Sequence, residues 1–177
     1  MSRVMFVGDS HLDAVRGERL TAFEAAVGRR VDNRAVGGSG VHDVPTQAAG
    51  APTDIAVTVL SLGTNDCAPW KEISFESFAS TIPSLVATLP GRVVYLAPPG
   101  VDESVLGPDD PTLAGVARYT DAARAAVAAH AGTTVESQQV LAGLGASAFV
   151  EDGVHLTDVA YALLLKALAG ELGPAPH

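Results

Sequence analysis

The chain has 177 residues, of which 47% are hydrophobic, and its formal net charge is −9. This length fits one domain over residues 1–177, with 173–177 as a loose tail, and the hydrophobic fraction suffices for a core without disulfides or a structural metal. The acidic balance, with no lysine or arginine cluster beyond Arg29-Arg30, argues against nucleic acid as a partner.

The cysteine content and the N-terminus narrow the class of protein further. The single cysteine, Cys67, excludes a disulfide framework and a cysteine-based zinc site. The first apolar run, Val4–Val7, is too short for a signal peptide or a membrane span. We therefore expect a cytoplasmic protein with no membrane span.

Apolar runs rich in valine and isoleucine predict five strands. They are Val4–Val7, Val31–Val36, Ile55–Leu62, Arg92–Ala97 and Thr133–Glu136. Because these runs are mostly continuous rather than alternating, they indicate a mostly parallel sheet that is covered on both faces.

Segments with apolar residues at helical spacing lie between the strands. We predict helices over His11–Val27, Ser74–Leu89, Thr112–Ala131 and about Thr157–Leu172. Pro83 should kink or interrupt the second helix, and Asp110-Pro111 should open the third, which ends at Gly132. The alternation of strand and helix predicts a three-layer α/β/α sandwich with right-handed crossovers around a central sheet.

Glycine-containing polar stretches lie at the ends of several predicted elements. They are Gly8–His11, Asn33–Asp43, Leu62–Trp70 and Glu151–Asp158. Each could be a plain turn, because Gly, Asp, Asn and Ser are common turn residues. In an open parallel sheet, however, such loops converge on the edge where ligands bind. The long connection Pro98–Pro111 follows a strand at the same edge, and could be a functional loop or an acidic surface loop.

These stretches contain the groups that acyl transfer by a serine requires. Ser10 offers a hydroxyl nucleophile, His155 a base, and Asp152 a carboxylate that can hold the histidine ring. The side-chain amide of Asn65 and the backbone N–H groups of the Gly37-Gly38 loop can donate hydrogen bonds to a developing oxyanion.

The order of four short blocks resembles a known family. Gly8-Asp9-Ser10, Gly38, Gly63-Thr64-Asn65-Asp66 and Asp152-Gly153-Val154-His155 resemble the motif blocks of the SGNH hydrolase superfamily, also called GDSL esterases and lipases. The resemblance extends from residue 8 to residue 155, and four blocks in order are far more specific than one. It implies a flavodoxin-like fold and an ester hydrolase that needs no cofactor or metal.

The resemblance also assigns roles to five residues. It implies that Ser10 is the nucleophile and that Asp152 and His155 complete its triad. It further implies that the Ser10 backbone N–H, Gly38 and Asn65 form the oxyanion hole. The G-x-S-x-G elbow of ordinary α/β-hydrolases is absent, which argues against that fold.

Four neighbouring residues, Asp9, His11, His42 and Trp70, are candidates for substrate contacts. His11 stands where many members of the superfamily have leucine, and it could line the site or cap the first helix. His42 could contact substrate or be an exposed loop histidine. Trp70 could form a wall of the pocket or be a partly buried anchor. We expect a packing role for Cys67, because no base is evident beside it.

The sequence favours an esterase that acts on a small-molecule ester and removes a short acyl group, such as acetyl, from a sugar or metabolite. A thioesterase, a lysophospholipase or an acyltransferase would use the same residues. A metallophosphoesterase is a weaker hypothesis, since it needs a further histidine-rich block. A catalytically silent binding module is weaker too, because the set of Ser, Gly, Asn, Asp and His is complete.

Overall fold

The structure, a computed structural model, describes residues 2–173 and contains one five-stranded parallel sheet. Its strands are β1 (Arg3–Gly8), β2 (Val31–Asn33), β3 (Ile55–Ser61), β4 (Arg92–Leu96) and β5 (Thr133–Val135). Their order across the sheet, β2-β1-β3-β4-β5, is that of flavodoxin-like folds. The predicted parallel sheet is therefore confirmed, and every one of its strands is parallel to its neighbours.

Seven α-helices and two short 3₁₀ turns are present within residues 2–173. The α-helices are α1 (Ser10–Asp13), α2 (Gly17–Val27), α3 (Val44–Ala48), α4 (Phe75–Thr88), α5 (Leu113–Ala129), α6 (Ser137–Leu141) and α7 (Asp158–Leu172). The 3₁₀ turns are Pro69–Lys71 and Gly145–Ala148. None of the helices in this part of the chain is both long and apolar enough to cross a bilayer. Residues 174–177 of the predicted tail lie outside the described residues.

The sheet separates two apolar clusters, as a three-layer sandwich requires. Consecutive residues of a strand point to opposite faces, so Phe6 packs with α2 and α7 whereas Val7 packs with α4 and α5. The same division holds in β4, where Val94 faces the first cluster and Tyr95 the second. The α/β/α architecture expected from the sequence is confirmed.

The single helix predicted over His11–Val27 is wrong, because the structure divides it into α1 and α2. Arg16 between them is extended, with φ −129° and ψ 170°. The Asn33 side-chain amide donates to the Leu12 and Val15 carbonyl oxygens at 2.8 and 2.9 Å. These carbonyl groups at the end of α1 are therefore satisfied by a side chain from β2 rather than by a continuing helix.

Two other helix predictions need correction. Pro83 lies inside α4 without interrupting it, because the proline is on the exposed face where water can satisfy the carbonyl group it leaves free. The helix α5 starts after Thr112, whose Oγ1 accepts the Gly115 N–H at 3.0 Å, and not at Asp110-Pro111. The Asp110 side chain instead accepts the Gly107 N–H at 2.8 Å within the preceding loop.

Gly8 ends β1 at a point where no side chain fits. Its φ is +123°, and a Cβ there would lie 1.9 Å from the Ser61 carbonyl oxygen of β3. We expect Gly8→Ala to lower the free energy of unfolding by about 3 kcal/mol or more, because it adds backbone strain to a steric clash. Chemical denaturation followed by circular dichroism measures the change.

Gly143→Ala is the matched control, because a Cβ at Gly143 would meet nothing within 4 Å. This control should change the free energy of unfolding by less than about 0.5 kcal/mol. Equal stability of the two variants would contradict the close approach of β1 and β3.

Candidate active site

The carboxyl end of β1 turns directly into α1, with Ser10 as the first helical residue. The Asp9 N–H donates to the Ser61 carbonyl oxygen at 3.1 Å, and the Ser61 hydroxyl donates to Asp9 Oδ1 at 2.8 Å. The same Oδ1 accepts the His11 N–H at 3.2 Å and so caps α1. Ser10 is fixed between two anchored neighbours and is itself partly exposed.

Asp9 and His11, which flank Ser10 in the chain, are buried side chains, each 1% exposed. His11 Nδ1 lies 3.4 Å from Asp9 Oδ1. The substrate contacts predicted for both residues do not fit this burial, because neither side chain has exposed surface to offer a ligand. Their position gives them a supporting role under the turn that carries Ser10.

The loop of residues 36–41, called the glycine loop below, lies against the end of β1. Its Val36 N–H donates to the Gly8 carbonyl oxygen at 3.1 Å. A Cβ on Gly37 would lie 3.8 Å from Ser10 Cβ, so the loop and the serine are neighbours. Gly38 is exposed, its φ is +77°, and a Cβ there would meet nothing within 4 Å. The glycine loop thus leaves open space beside Ser10.

The segment after β3 is joined to the glycine loop by two side chains. Asn65, only 9% exposed, donates from Nδ2 to the Ser39 carbonyl oxygen at 2.9 Å. Asp66 accepts the Val41 N–H at 2.6 Å through Oδ1 and the Gly63 N–H at 3.0 Å through Oδ2. The structure therefore brings Asn65 next to the glycine loop.

Several N–H donors along these segments have no hydrogen-bond partner among residues 2–173. Three of them are the backbone N–H groups of Ser10 and Gly38 and the second amide hydrogen of Asn65. All three belong to segments at the carboxyl edge of β1 and β3. Unpaired donors from separate segments are what stabilisation of an oxyanion requires.

Asp152 and His155 form a hydrogen-bonded pair just before α7. Asp152 Oδ2 lies 2.6 Å from His155 Nδ1, while Oδ1 accepts the Val154 and His155 N–H groups at 2.9 and 2.8 Å. Burial raises the pKa of Asp152, but the hydrogen bonds from His155 and Val154 outweigh it and lower the pKa to about 2. The ionised carboxylate orients the ring and leaves His155 Nε2 free.

The hairpin that carries this pair is supported by the loop after β4. Phe149 and Leu156 form an antiparallel bridge at the base of the hairpin. The Asp102 N–H donates to the Gly153 carbonyl oxygen at 2.7 Å. A Cβ on Gly153 would lie 2.6 Å from Val105 Cγ2, so the loop packs directly on the hairpin. Part of Pro98–Pro111 therefore supports the hairpin that carries Asp152 and His155.

The remaining candidates lie at the rim of the site. His42 is exposed, and its Nε2 is 3.3 Å from the Ser77 hydroxyl oxygen of α4. Trp70 is 51% exposed, in the 3₁₀ turn that follows the Asn65 segment. Burial, together with the negative charge of Asp66, raises the pKa of Cys67 to about 12. The Cys67 thiol therefore stays protonated at neutral pH, which fits a packing role.

Two residues of the site, Asp66 and Lys71, make contacts with the glycine loop that the sequence did not predict. Asp66 follows Asn65 directly, so its place in the third motif block was the available signal. Lys71 donates to the Gly38 carbonyl oxygen at 2.7 Å and to Asp43 Oδ2 at 2.9 Å. No pattern in the sequence indicates these two hydrogen bonds of Lys71, because they depend on how the 3₁₀ turn packs against the glycine loop.

The described residues 2–173 contain no group of three or more His, Cys, Asp or Glu side chains arranged to hold a metal ion. A two-metal phosphoesterase needs such a donor set. The metallophosphoesterase hypothesis therefore gains no support from this part of the chain.

Solved structures match this architecture along the whole chain. A lipase/acylhydrolase from Enterococcus faecalis matches with a TM-score of 0.81 at 20% sequence identity, over 100% of both chains. An acetylxylan esterase from Geobacillus stearothermophilus matches with a TM-score of 0.78 at 19% identity, over 98% of this chain and 95% of that chain. This chain has their fold. The flavodoxin-like architecture implied by the resemblance to SGNH hydrolases is confirmed.

An α/β hydrolase enzyme from the metagenome of Lake Arreo, Spain, matches with a TM-score of 0.76 at 17% identity. That match covers 97% of this chain and 94% of that chain. No protein-family model and no curated protein matches the sequence. At these identities the structures show a shared fold, and the chemistry has to be argued from the residues.

The short Asp152–His155 contact predicts a signature in proton NMR spectra. We expect the His155 Nδ1–H to give a far-downfield resonance, because a short hydrogen bond to a carboxylate deshields the proton. Asp152→Asn should abolish this resonance. His130→Gln, which removes a ring whose Nδ1 lies 2.9 Å from the Ala126 carbonyl oxygen, should leave it unchanged. Persistence of the resonance in Asp152→Asn would contradict the assignment.

Proposed function

We propose that the chain is a serine esterase in which Ser10 is the nucleophile, His155 the base and Asp152 the carboxylate that orients the base. One observation carries this proposal: a hydrogen-bonded Asp–His pair lies in a hairpin bound to the loop after the carboxyl end of β4, and Ser10 starts a helix at the carboxyl end of β1. The shared fold with a lipase/acylhydrolase and an acetylxylan esterase supports it.

In the acylation step, the Ser10 Oγ attacks the carbonyl carbon of the ester while His155 Nε2 accepts the hydroxyl proton. The carbonyl oxygen becomes an oxyanion, which the N–H groups of Ser10, Gly38 and Asn65 stabilise. The bond between carbon and the leaving oxygen then breaks. His155 returns its proton to that oxygen, so an alcohol leaves and the acyl group stays on Ser10.

Deacylation repeats the sequence with water as the nucleophile. His155 takes a proton from the water as its oxygen attacks the acyl carbon, and the bond to Ser10 Oγ breaks. The proton passes to Ser10, and the carboxylic acid is released. Asp152 stays ionised throughout, as its lowered pKa favours, and stabilises the protonated ring in both steps.

We further propose that the substrate carries a short acyl group, such as acetyl, on a sugar or a small metabolite. The open space around Gly38 and the half-exposed Asp152–His155 pair indicate a shallow site. Such a site would shield little of a long acyl chain from water. Trp70 offers an exposed aromatic face at the rim. Such a face packs well against the apolar side of a sugar ring.

Ser10 should be covalently labelled by a fluorophosphonate, because the reagent needs an activated hydroxyl and an oxyanion hole. Intact mass spectrometry should show one adduct on the native protein and none on Ser10→Ala. His155→Ala should slow labelling by at least about 10²-fold, since the base is lost. The exposed Ser147 provides the matched control, and Ser147→Ala should label at the native rate. A label retained by Ser10→Ala would remove the serine from its role.

Aryl esters of increasing acyl length test the substrate proposal. We expect kcat/KM to fall by at least about tenfold from acetate to octanoate, because a shallow site gains little from a long chain. Highest activity on octanoate would instead indicate a lipase or lysophospholipase. Trp70→Ala should raise the KM for an acetylated xylo-oligosaccharide and leave the KM for ethyl acetate unchanged. An equal effect on both esters would contradict a sugar-binding role for Trp70.

A further inference from the structure

Asp66 is a buried carboxylate, 1% exposed, that the proposed chemical steps do not use. Its Oδ1 accepts the Val41 N–H at 2.6 Å and its Oδ2 accepts the Gly63 N–H at 3.0 Å. Val41 belongs to the glycine loop, which contains Gly38. Gly63 belongs to the segment that carries Asn65. One side chain therefore joins the two segments whose donors face the developing oxyanion.

We propose that Asp66 is a positioning residue of the oxyanion hole, and that its ionised carboxylate holds the Gly38 N–H and the Asn65 amide in their catalytic arrangement. The inference rests on the proposed esterase function, because an oxyanion hole has a role only if Ser10 forms a tetrahedral intermediate. Asp66 does not touch the substrate and acts through the two segments that it joins.

The geometry requires a carboxylate rather than an amide. Both Asp66 oxygens accept a backbone N–H, and the ionised form offers a strong acceptor at each position, whereas protonation makes one oxygen an O–H donor that accepts only weakly. An asparagine would place an NH₂ group against one of the two N–H donors. A Cβ on Gly40 would lie 2.9 Å from Asp66 Oδ1, so the loop backbone packs directly on the carboxylate. Asp66→Asn would therefore leave one buried backbone N–H without a partner, and the glycine loop would shift.

Two other contacts limit the size of the expected effect. Asn65 still donates to the Ser39 carbonyl oxygen at 2.9 Å, and Lys71 still donates to the Gly38 carbonyl oxygen at 2.7 Å. Removing the carboxylate should therefore misalign the donors rather than release them. Loss of a complete donor costs about 10²–10³ in kcat, so misalignment should cost less.

The surroundings of Asp66 raise its pKa into the range that a pH profile of activity covers. Burial raises the pKa of Asp66 to about 6 against the hydrogen bonds from Val41 and Gly63, and the nearby Asp9 carboxylate raises it as well. The groups that face it are Asp9 beyond β1, Tyr95 of β4, Tyr119 of α5, and Cys67 and Lys71 of its own segment.

Protonation of Asp66 near pH 6 should lower the activity without unfolding the protein. The raised pKa means that the ionised form costs folding stability. That stability is recovered as the pH falls from about 6 towards the unfolded value near 4. Burial raises the pKa values of Tyr95, Tyr119 and Cys67, so these three groups stay neutral across this range.

The test is the acid limb of the pH profile of kcat/KM for an aryl acetate, with kcat and KM also measured at pH 8. Ionisation of Asp66 should add one deprotonation step to the acid limb of the native enzyme, so the logarithmic slope should be steeper by one than without that group. Asp66→Asn should reduce the native slope by one. We expect this variant to lower kcat by about 10- to 100-fold and to leave KM within about threefold.

Glu171→Gln is the matched control, because it changes a carboxylate to an amide at the opposite edge of the sheet. Glu171 there accepts hydrogen bonds from the Thr133 hydroxyl at 2.6 Å and from Arg92 at 3.1 Å. This control should keep the native slope and the native kcat, whatever its melting temperature. A merely structural role for Asp66 would give Asp66→Asn the same outcome as the control, and that result overturns the inference.

The outcomes separate this inference from the proposed function. Failure of the native protein to label with a fluorophosphonate or to hydrolyse any ester overturns the function. An active native enzyme whose Asp66→Asn variant keeps the native slope overturns the inference alone. If Asp66→Asn does not fold, the slope is measured in His11→Leu, which removes the buried histidine next to Ser10. Persistence of the native slope there supports the role of Asp66, and its reduction by one overturns it.

Discussion

The contact between β1 and β3 at their carboxyl ends determines where Ser10 lies. The two strands stay in register to Gly8 and Ser61, and Ser61 then binds Asp9 through both its carbonyl oxygen and its hydroxyl. Gln47 accepts the Gly8 N–H at 2.6 Å and donates to the Gly8 carbonyl oxygen at 3.0 Å. Both backbone polar groups of Gly8 therefore have hydrogen-bond partners, and the chain that leads to Ser10 leaves the sheet in one defined direction.

The candidate site has a buried half and an exposed half. Asn65 is 9% exposed and tied to the glycine loop, whereas the Asp152 and His155 side chains are 50% and 48% exposed. Donors held by buried hydrogen bonds need no rearrangement when charge develops on the substrate. In the proposed mechanism substrate and water must reach His155 in turn, and a hairpin at the surface permits this.

The strands and most site residues were predictable, because continuous apolar runs and short motif blocks are local signals. Helix ends were less predictable, since α1 ends where Asn33 of a different element binds its carbonyl groups. The roles of Asp66 and Lys71 were not predictable for the same reason. Their partners in the glycine loop lie 25 and 33 residues away along the chain, so only the folded backbone brings them together.

The order of these groups along the chain has a consequence for biosynthesis. Ser10 and the glycine loop are translated early, whereas the Asp152–His155 hairpin and α7, which packs with Leu12 and Val15 in one cluster, are translated much later. In the proposed mechanism a nascent chain therefore carries a serine without its base. Under that mechanism hydrolysis begins only after the residues up to α7 have left the ribosome.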